Sequence, residues 1–139
     1  MRAGEGKPWA KREPEAPPIV DGRVPPHDLD AEAAVLSAIM IDPGSLDRVQ
    51  EFLKAEHFYS EAHRRIYEAC AELHAVGQPV DIVQVGTWLK NRDRIGQIGG
   101  MAYLTEILNA APAVANITAY AKTIHEKSRV RQLIAACQK

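Results

Sequence analysis

Apolar residues recur along this chain at three- and four-residue intervals, and no segment alternates apolar and polar positions in the two-residue period of a strand. The first periodic stretch is Leu29, Ala33, Leu36, Ile39 and Met40, with Val35 widening the stripe. Asp28 stands where a side-chain cap is needed, so a helix is predicted from there to Ile41. Asp42-Pro43 stops that helix and starts another, because Asp suits a cap and Pro the first helical position. Leu46, Val49, Phe52 and Leu53 form its apolar face, Lys54 to His57 form a link, and Phe58-Tyr59 is expected to pack beneath the next element.

Residues 57 to 89 form a hairpin on which the remaining segments are expected to organise. Ser60 caps a helix whose first turn carries Glu61, and Ala62, Ile66, Ala69, Cys70, Leu73 and Val76 repeat until Gly77 and Pro79 stop it. Asp81 caps the next helix, with Ile82, Val85, Trp88 and Leu89 on one face, and this accounts for the β-branched run Val80 to Val85 better than a strand does. The polar stretch Lys90 to Gln97 has no apolar period and leads to a tight bend at Gly99-Gly100. A short helix follows with Met101, Leu104, Ile107 and Leu108 inward and Tyr103 offset from that stripe. Ala110 to Ala115, broken at Pro112, precedes a last helix with Asn116 as its expected cap.

That last helix carries Ile117, Tyr120, Ala121, Ile124, Val130, Leu133, Ile134 and Cys137, with no Gly, Asn or Pro to end it. An apolar stripe that runs so close to the last residue needs another helix as cover, so a fragment, or association through this helix, is expected. The fold class is therefore all-α: a compact bundle of about five to six helices over 25–115, then the first arm of a truncated helical hairpin over 116–139. Residues 1–24, with Pro8, Pro14, Pro17 and Pro18 among mixed charges, read as a disordered Pro-rich tail; Trp9 and Ile19-Val20 are weak candidates for docking.

The 139 residues, 46% hydrophobic and 25% charged, suit one soluble domain. The opening Met-Arg-Ala-Gly-Glu-Gly-Lys-Pro lacks the apolar core of a secretory signal, so the cytoplasm is expected, and Cys70 and Cys137 do not make a disulfide framework. A net charge of -1 argues against wholesale binding to phosphate backbones. Locally, Lys122 to Lys139 holds five basic residues against Glu126, so nucleic-acid binding through Lys122, Lys127, Arg129 and Arg131 is an alternative reading.

No phosphate loop, dinucleotide fingerprint or nucleophile elbow is present. His63, Cys70 and His74 share a helical stripe, but His63 and Cys70 lie roughly 10 Å apart along the axis, too far to share an ion. Cys70 with His74 would still need two more ligands, and nothing in the spacing of His57 and Cys137 brings them in. Carboxylates fall on predicted outer faces or caps. No catalytic, cofactor-binding or metal residues are assigned.

Taken in order, Pro25-Pro26-His27, Glu32 with Val35-Leu36, Asp42-Pro43, Phe58-Tyr59, His63 with Ile66-Tyr67, Gly77-Gln78-Pro79-Val80-Asp81, Gly99-Gly100 with Tyr103-Leu104, Asn116-Ile117, Tyr120-Ala121 and Arg131 with Leu133-Ile134 form a specific set. In these the chain resembles the N-terminal domain of the bacterial replicative DNA helicase, the DnaB-type hexameric motor, across residues 25–139. The resemblance implies a small helical bundle followed by a helical hairpin of which only the first helix is present here. It also implies pairing with further copies through the hairpins into a collar of dimers, which receives primase and, in some systems, a loader. ATP, magnesium and most DNA contacts would belong to a motor domain downstream.

The partner-binding or oligomer-interface residues expected on this reading are Leu133, Ile134 and Val130 on the last helix, Tyr103 as an aromatic anchor at a surface set by Gly99-Gly100, and Asp30 as a polar rim contact. Ser37, where the family usually has Gly, implies slightly looser helix packing. Gly86 inside a helix should cost roughly 1 kcal/mol relative to Ala. The Pro-rich extension is longer than the resemblance leads one to expect. A primase C-terminal-type domain of related helical architecture is a third reading, against which the Pro25-Pro26-His27 entrance and the Gly77 to Asp81 loop weigh.

Overall fold

Leu29–Ile41 (α1) is apolar on every side, with all residues from Ala31 to Met40 buried, and such a helix is stable only when other elements surround it. The computed structural model describes residues 24–110 and 116–138 and places α1 at the centre of the molecule. Around it, in chain order, come a 3-10 turn at Pro43–Ser45 leading into α2 (Leu46–Val49), a 3-10 turn at Ala55–His57, α3 (Glu61–Ala75), α4 (Ile82–Asn91), α5 (Ile95–Ile98), α6 (Gly100–Ala110) and α7 (Ile117–Cys137). The described residues are all helical apart from turns and links, as the periodicity predicts. α1 packs against α7, α6 and α3, while α4 packs on α3 and α6. The hairpin at residues 57–89 is thus one side of the bundle, and α1, not the hairpin, is the element the rest surrounds.

Three expected caps form. Asp28 accepts from the Ala31 amide at 3.0 Å, Ser60 from the His63 amide at 3.3 Å and Asp81 from the Gln84 amide at 2.8 Å. Asn116 makes no capping bond with its side chain, contrary to expectation. α3 ends in a Schellman motif: the Gln78 amide bonds the Leu73 carbonyl at 2.9 Å and Gly77 adopts the left-handed φ of 76° that this return requires. The stop at Gly77 is as predicted, but Val76 beside it is 67% exposed and not part of the core.

Other departures follow the packing. The second predicted helix is shorter than its apolar face, and Leu53 is buried from an irregular segment after Val49. Lys90 to Gln97, which has no apolar period, runs into the single turn α5 (Ile95–Ile98), whose Ile98 is fully buried. On α6 the inward stripe is Tyr103, Leu104 and Ile107, while Met101, expected inward, is 42% exposed. Gly86 faces α6, where a Cβ would meet the thioether end of Met101, a flexible and 42% exposed side chain that can move aside. Ser37 is fully buried with its hydroxyl 3.4 Å from the Leu108 carbonyl oxygen, joining α1 to α6 where looser packing was expected. The reading of residues 1–23 as a Pro-rich tail, with Trp9 and Ile19-Val20, and that of Pro112 as a break lie outside the described residues.

Candidate functional site

Polar groups inside the bundle explain what fixes its shape. Glu32, expected on an outer face, is 1% exposed on α1, because its carboxylate gathers donors from the entry to α3. It accepts from the Tyr59 amide at 2.6 Å, the Ser60 amide at 3.3 Å and His63 Nδ1 at 2.7 Å. A carboxylate only accepts, so the proton between the two side chains is carried by Nδ1. The other ring nitrogen, Nε2, lies 2.9 Å from the Tyr103 hydroxyl. This chain of contacts ties α1, α3 and α6 together, and the Glu32, His63 and Tyr103 side chains are all buried.

Tyr103 is therefore not the surface anchor expected. It is 1% exposed, since its hydroxyl finds a partner in His63 and its ring falls on the inward stripe of α6. The stripe of His63, Cys70 and His74 likewise separates into structural roles: His63 goes to Glu32, Cys70 is enclosed with its thiol pushed up to about 12 by burial, and His74 Nε2 meets Asp47 at 2.9 Å. Among the described residues, no group of three or more His, Cys, Asp or Glu side chains is placed to hold a metal ion.

The last helix has two halves of different character. In the near half Ile117, Ala121, Ile124 and Ser128 are buried, on the face that α1 covers. Arg131 then closes this attachment. Its Nη1 donates to the Pro26 carbonyl at 2.8 Å and its Nη2 to the His57 carbonyl at 2.7 Å, and its guanidinium lies 5.4 Å from the centre of the Tyr59 ring. His27 stacks on the same tyrosine with ring centres 4.1 Å apart. One arginine thus holds the chain entrance, the turn at Ala55–His57 and α7 in register. Arg131 is half-buried and committed to these carbonyls, which withdraws it from the set expected to face nucleic acid; Lys122 and Arg129 remain exposed.

Past Ser128 no residue of α7 is buried, although the apolar spacing continues. Val130 and Ile134 are half-buried, Leu133 is 65% exposed and Cys137 is exposed. At about 1.5 Å per residue, the part beyond Ser128 reaches roughly 15 Å further along the helix axis. Of the expected interface residues, α7 brings Val130, Leu133 and Ile134 together at three- and four-residue spacing. Asp30 is exposed in the first turn of α1, where its charge suits the helix N-terminus.

An open groove of about 510 Å³ lies between α3 and the α4 end, lined by Tyr67, Ala71, Trp88, Arg92 and Arg94 among others. Its arginines are engaged: Arg92 lies 3.9 Å over the Trp88 ring and Arg94 meets Glu68 at 3.0 Å.

Glu32, His57 and Arg131 are the residues whose importance the sequence reading missed. For Glu32 a signal exists, since a carboxylate within ten otherwise almost wholly apolar residues needs an internal partner, and His63 is the neutral or cationic donor that supplies it. For Arg131 the partners are main-chain carbonyls 105 and 74 residues away, which no pattern of side chains reveals.

Fold and site together define an all-helical domain with an internally satisfied polar lock, from which one helix runs on past the core. The model of the DnaB-like helicase N terminal domain matches residues 24–126, and the chain belongs to that family. It is 43% identical over 116 residues to the replicative DNA helicase DnaC of Bacillus subtilis, covering 84% of this chain and 26% of that protein, so it spans about a quarter of the relative's length. The crystal structure of the N-terminal domain of DnaB helicase from Mycobacterium tuberculosis superposes with a TM-score of 0.80 at 35% identity, covering 82% of this chain and 81% of that one. A DnaB-like replicative helicase whose structure is described together with its interactions with primase gives a TM-score of 0.70 at 28% identity, covering 80% of this chain and 26% of that one.

Proposed function

We propose that this chain is the collar-forming and docking domain of a replicative helicase, non-catalytic in itself. On this reading α7 is the first arm of a helical hairpin that pairs with the same element of another subunit. The assembled collar receives primase and, where one is used, a loader. ATP and magnesium would act in a motor domain beyond this chain, which would also make most of the DNA contacts, in the cytoplasm. No described helix is long and apolar enough to cross a membrane.

The observation that carries this reading is the uncovered far half of α7, where Leu133 is 65% exposed on a stripe that continues a buried one. An apolar helical face of this kind gains by burial against another helix, at about 25 cal/mol per Å² of apolar surface. Family membership and the primase interactions described for a structural neighbour supply the partner class.

Sedimentation tests the assembly. This chain alone is expected to associate weakly, and a version that continues through a second hairpin arm to form stable oligomers, which Leu133→Asp disrupts without unfolding the domain. Stable hexamers from the present chain alone would refute the interface. Titration of the assembled form with the cognate primase, followed by calorimetry, tests the docking role, and no heat at micromolar concentrations counts against it. Direct nucleic-acid binding is disfavoured by the commitment of Arg131 to internal carbonyls, and salt-sensitive binding of single-stranded DNA to this chain would restore it.

A further inference from the structure

We infer that His57 is a proton-sensitive joint that strengthens the attachment of α7 to the body of the domain while its imidazole is neutral. The Lys54 backbone N–H donates to His57 Nδ1 at 2.9 Å, and a backbone amide nitrogen cannot accept, so Nδ1 must keep its lone pair. The neutral ring therefore carries its proton on Nε2. Adding a second proton, at Nδ1, breaks the side-chain cap at the start of the Ala55–His57 turn and leaves that turn only its backbone bonds, from the His57 amide to the Lys54 carbonyl at 3.0 Å and from the Phe58 amide to the Ala55 carbonyl at 3.1 Å; the carbonyl of His57 is also the one that Arg131 grips at 2.7 Å. The turn and the α7 anchor share one residue.

The charged surroundings oppose that second proton. From its own turn His57 faces Lys54 and Glu56; from α7 it faces His125, whose ring meets it edge-on with centres 4.8 Å apart, and Arg131. Arg131 in turn feels Glu32, Arg64 and Tyr59. Only Glu56 favours the imidazolium directly, and its carboxylate is 4.0 Å from Nε2 with its side chain 77% exposed, where solvent weakens the attraction. Burial acts first, and then His125, to lower the His57 pKa from the ordinary 6.5. Since the folded value lies below the unfolded one, the stability this joint contributes is fully present above pH 6.5 and is lost as pH falls through the folded value. The consequence, that acid loosens the arm which carries the partner surface, rests on the function proposed above; the joint itself does not.

Ring-nitrogen NMR of the 139-residue chain, with amide spectra recorded from about pH 7.5 down to about 5, tests this where an imidazole titrates. At the upper end His57 is expected to show an unprotonated Nδ1 and a protonated Nε2. As His57 titrates, with a midpoint below 6.5, the Lys54 amide should shift with it, and corrected exchange protection in the near half of α7 should fall by about tenfold for each unit that the midpoint is lowered. His57→Asn, whose Oδ1 can accept from Lys54 without titrating, should retain the docked α7 and remove the acid loosening, and His125→Gln should keep the transition but move its midpoint up toward 6.5. A proton on Nδ1 at neutral pH, a midpoint at or above 6.5, or unchanged acid loosening in His57→Asn each overturns the inference. None of these readouts involves oligomerisation or primase, so its failure is distinct from failure of the docking role.

Discussion

Truncation of Glu32 to Ala should be among the most damaging single changes in this domain. The carboxylate accepts from the Tyr59 amide at 2.6 Å and from His63 Nδ1 at 2.7 Å, and more weakly from the Ser60 amide at 3.3 Å. None of these donors finds a replacement acceptor in an alanine side chain at a position 1% exposed. An orphaned buried donor costs about 1–3 kcal/mol, and removing one member of a buried pair costs about 3–5 kcal/mol. A loss of about 4 kcal/mol is therefore expected, a large part of the roughly 5–15 kcal/mol that holds a domain of this size together. Glu32→Gln separates charge from shape. Its amide oxygen can still receive Tyr59, and its amide NH2 can donate to His63 Nδ1 if the imidazole shifts its proton to Nε2 and the Tyr103 hydroxyl becomes an acceptor. Only the longer Ser60 contact is then mismatched, and about 1–2 kcal/mol is expected. Urea denaturation reads both variants, since a slope of about 1–3 kcal/mol per molar turns the alanine loss into a midpoint shift of about 2 M. An alanine variant within about 1 kcal/mol of the parent, or a glutamine variant as damaging as the alanine one, would refute the lock as described.

Arg131→Ala removes two donors to main-chain carbonyls, each a charge-assisted bond, and should cost about 2–3 kcal/mol; Arg131→Lys, which lacks the fork that spans both carbonyls, should recover less than half, as read by thermal unfolding. Gly86→Ala, favoured by helix propensity by about 1 kcal/mol, meets only the movable thioether end of Met101 and should raise the urea midpoint; no gain, restored by Met101→Ala in the same chain, would show that the thioether is held in place. Of the two cysteines only Cys137 should react with a thiol reagent in the native state at mildly alkaline pH, because burial holds the Cys70 thiol at about 12; reaction of both before unfolding would show that α3 opens locally.

Helix positions were largely legible because they depend on local signals. Asp28, Ser60 and Asp81 each cap the helix predicted from them, and Gly77 returns the chain as its lack of a side chain allows. What escaped depends on distance in the chain. The inward stripe of α6 could not be phased correctly without knowing that His63 waits opposite Tyr103, 40 residues away. Hydrophobicity and spacing place Met101 inward, yet its thioether lies beside Gly86 of α4 at the surface, 42% exposed. The central place of α1 was visible in principle, since only Asp30, Glu32 and Ser37 interrupt its apolar run, but three-and-four spacing is satisfied by a fully apolar helix as well as by a one-sided one.

The apolar spacing along α7 makes one continuous stripe, yet its two halves separate, and that separation has a physical logic of its own. An arm that presents apolar surface to a partner must not lose that surface to its own core, and must still be held firmly enough for binding to act on the whole domain. Apolar packing alone cannot draw that boundary, because it rewards every additional contact. Directional bonds can. Arg131 reaches carbonyls at fixed positions in the chain entrance and the Ala55–His57 turn, so α7 is pinned within one turn of Ser128, the last buried residue, and Leu133 is left two residues beyond the pin. Substituting the pin should then disturb the arm's direction while leaving its surface intact, whereas substituting Leu133 should do the reverse. The pair separates fold from docking: Arg131→Ala should lower thermal stability, and Leu133→Asp should leave it within about 0.5 kcal/mol while abolishing association of the longer chain. Equal effects of both variants on stability would mean that the far half of α7 belongs to the core after all.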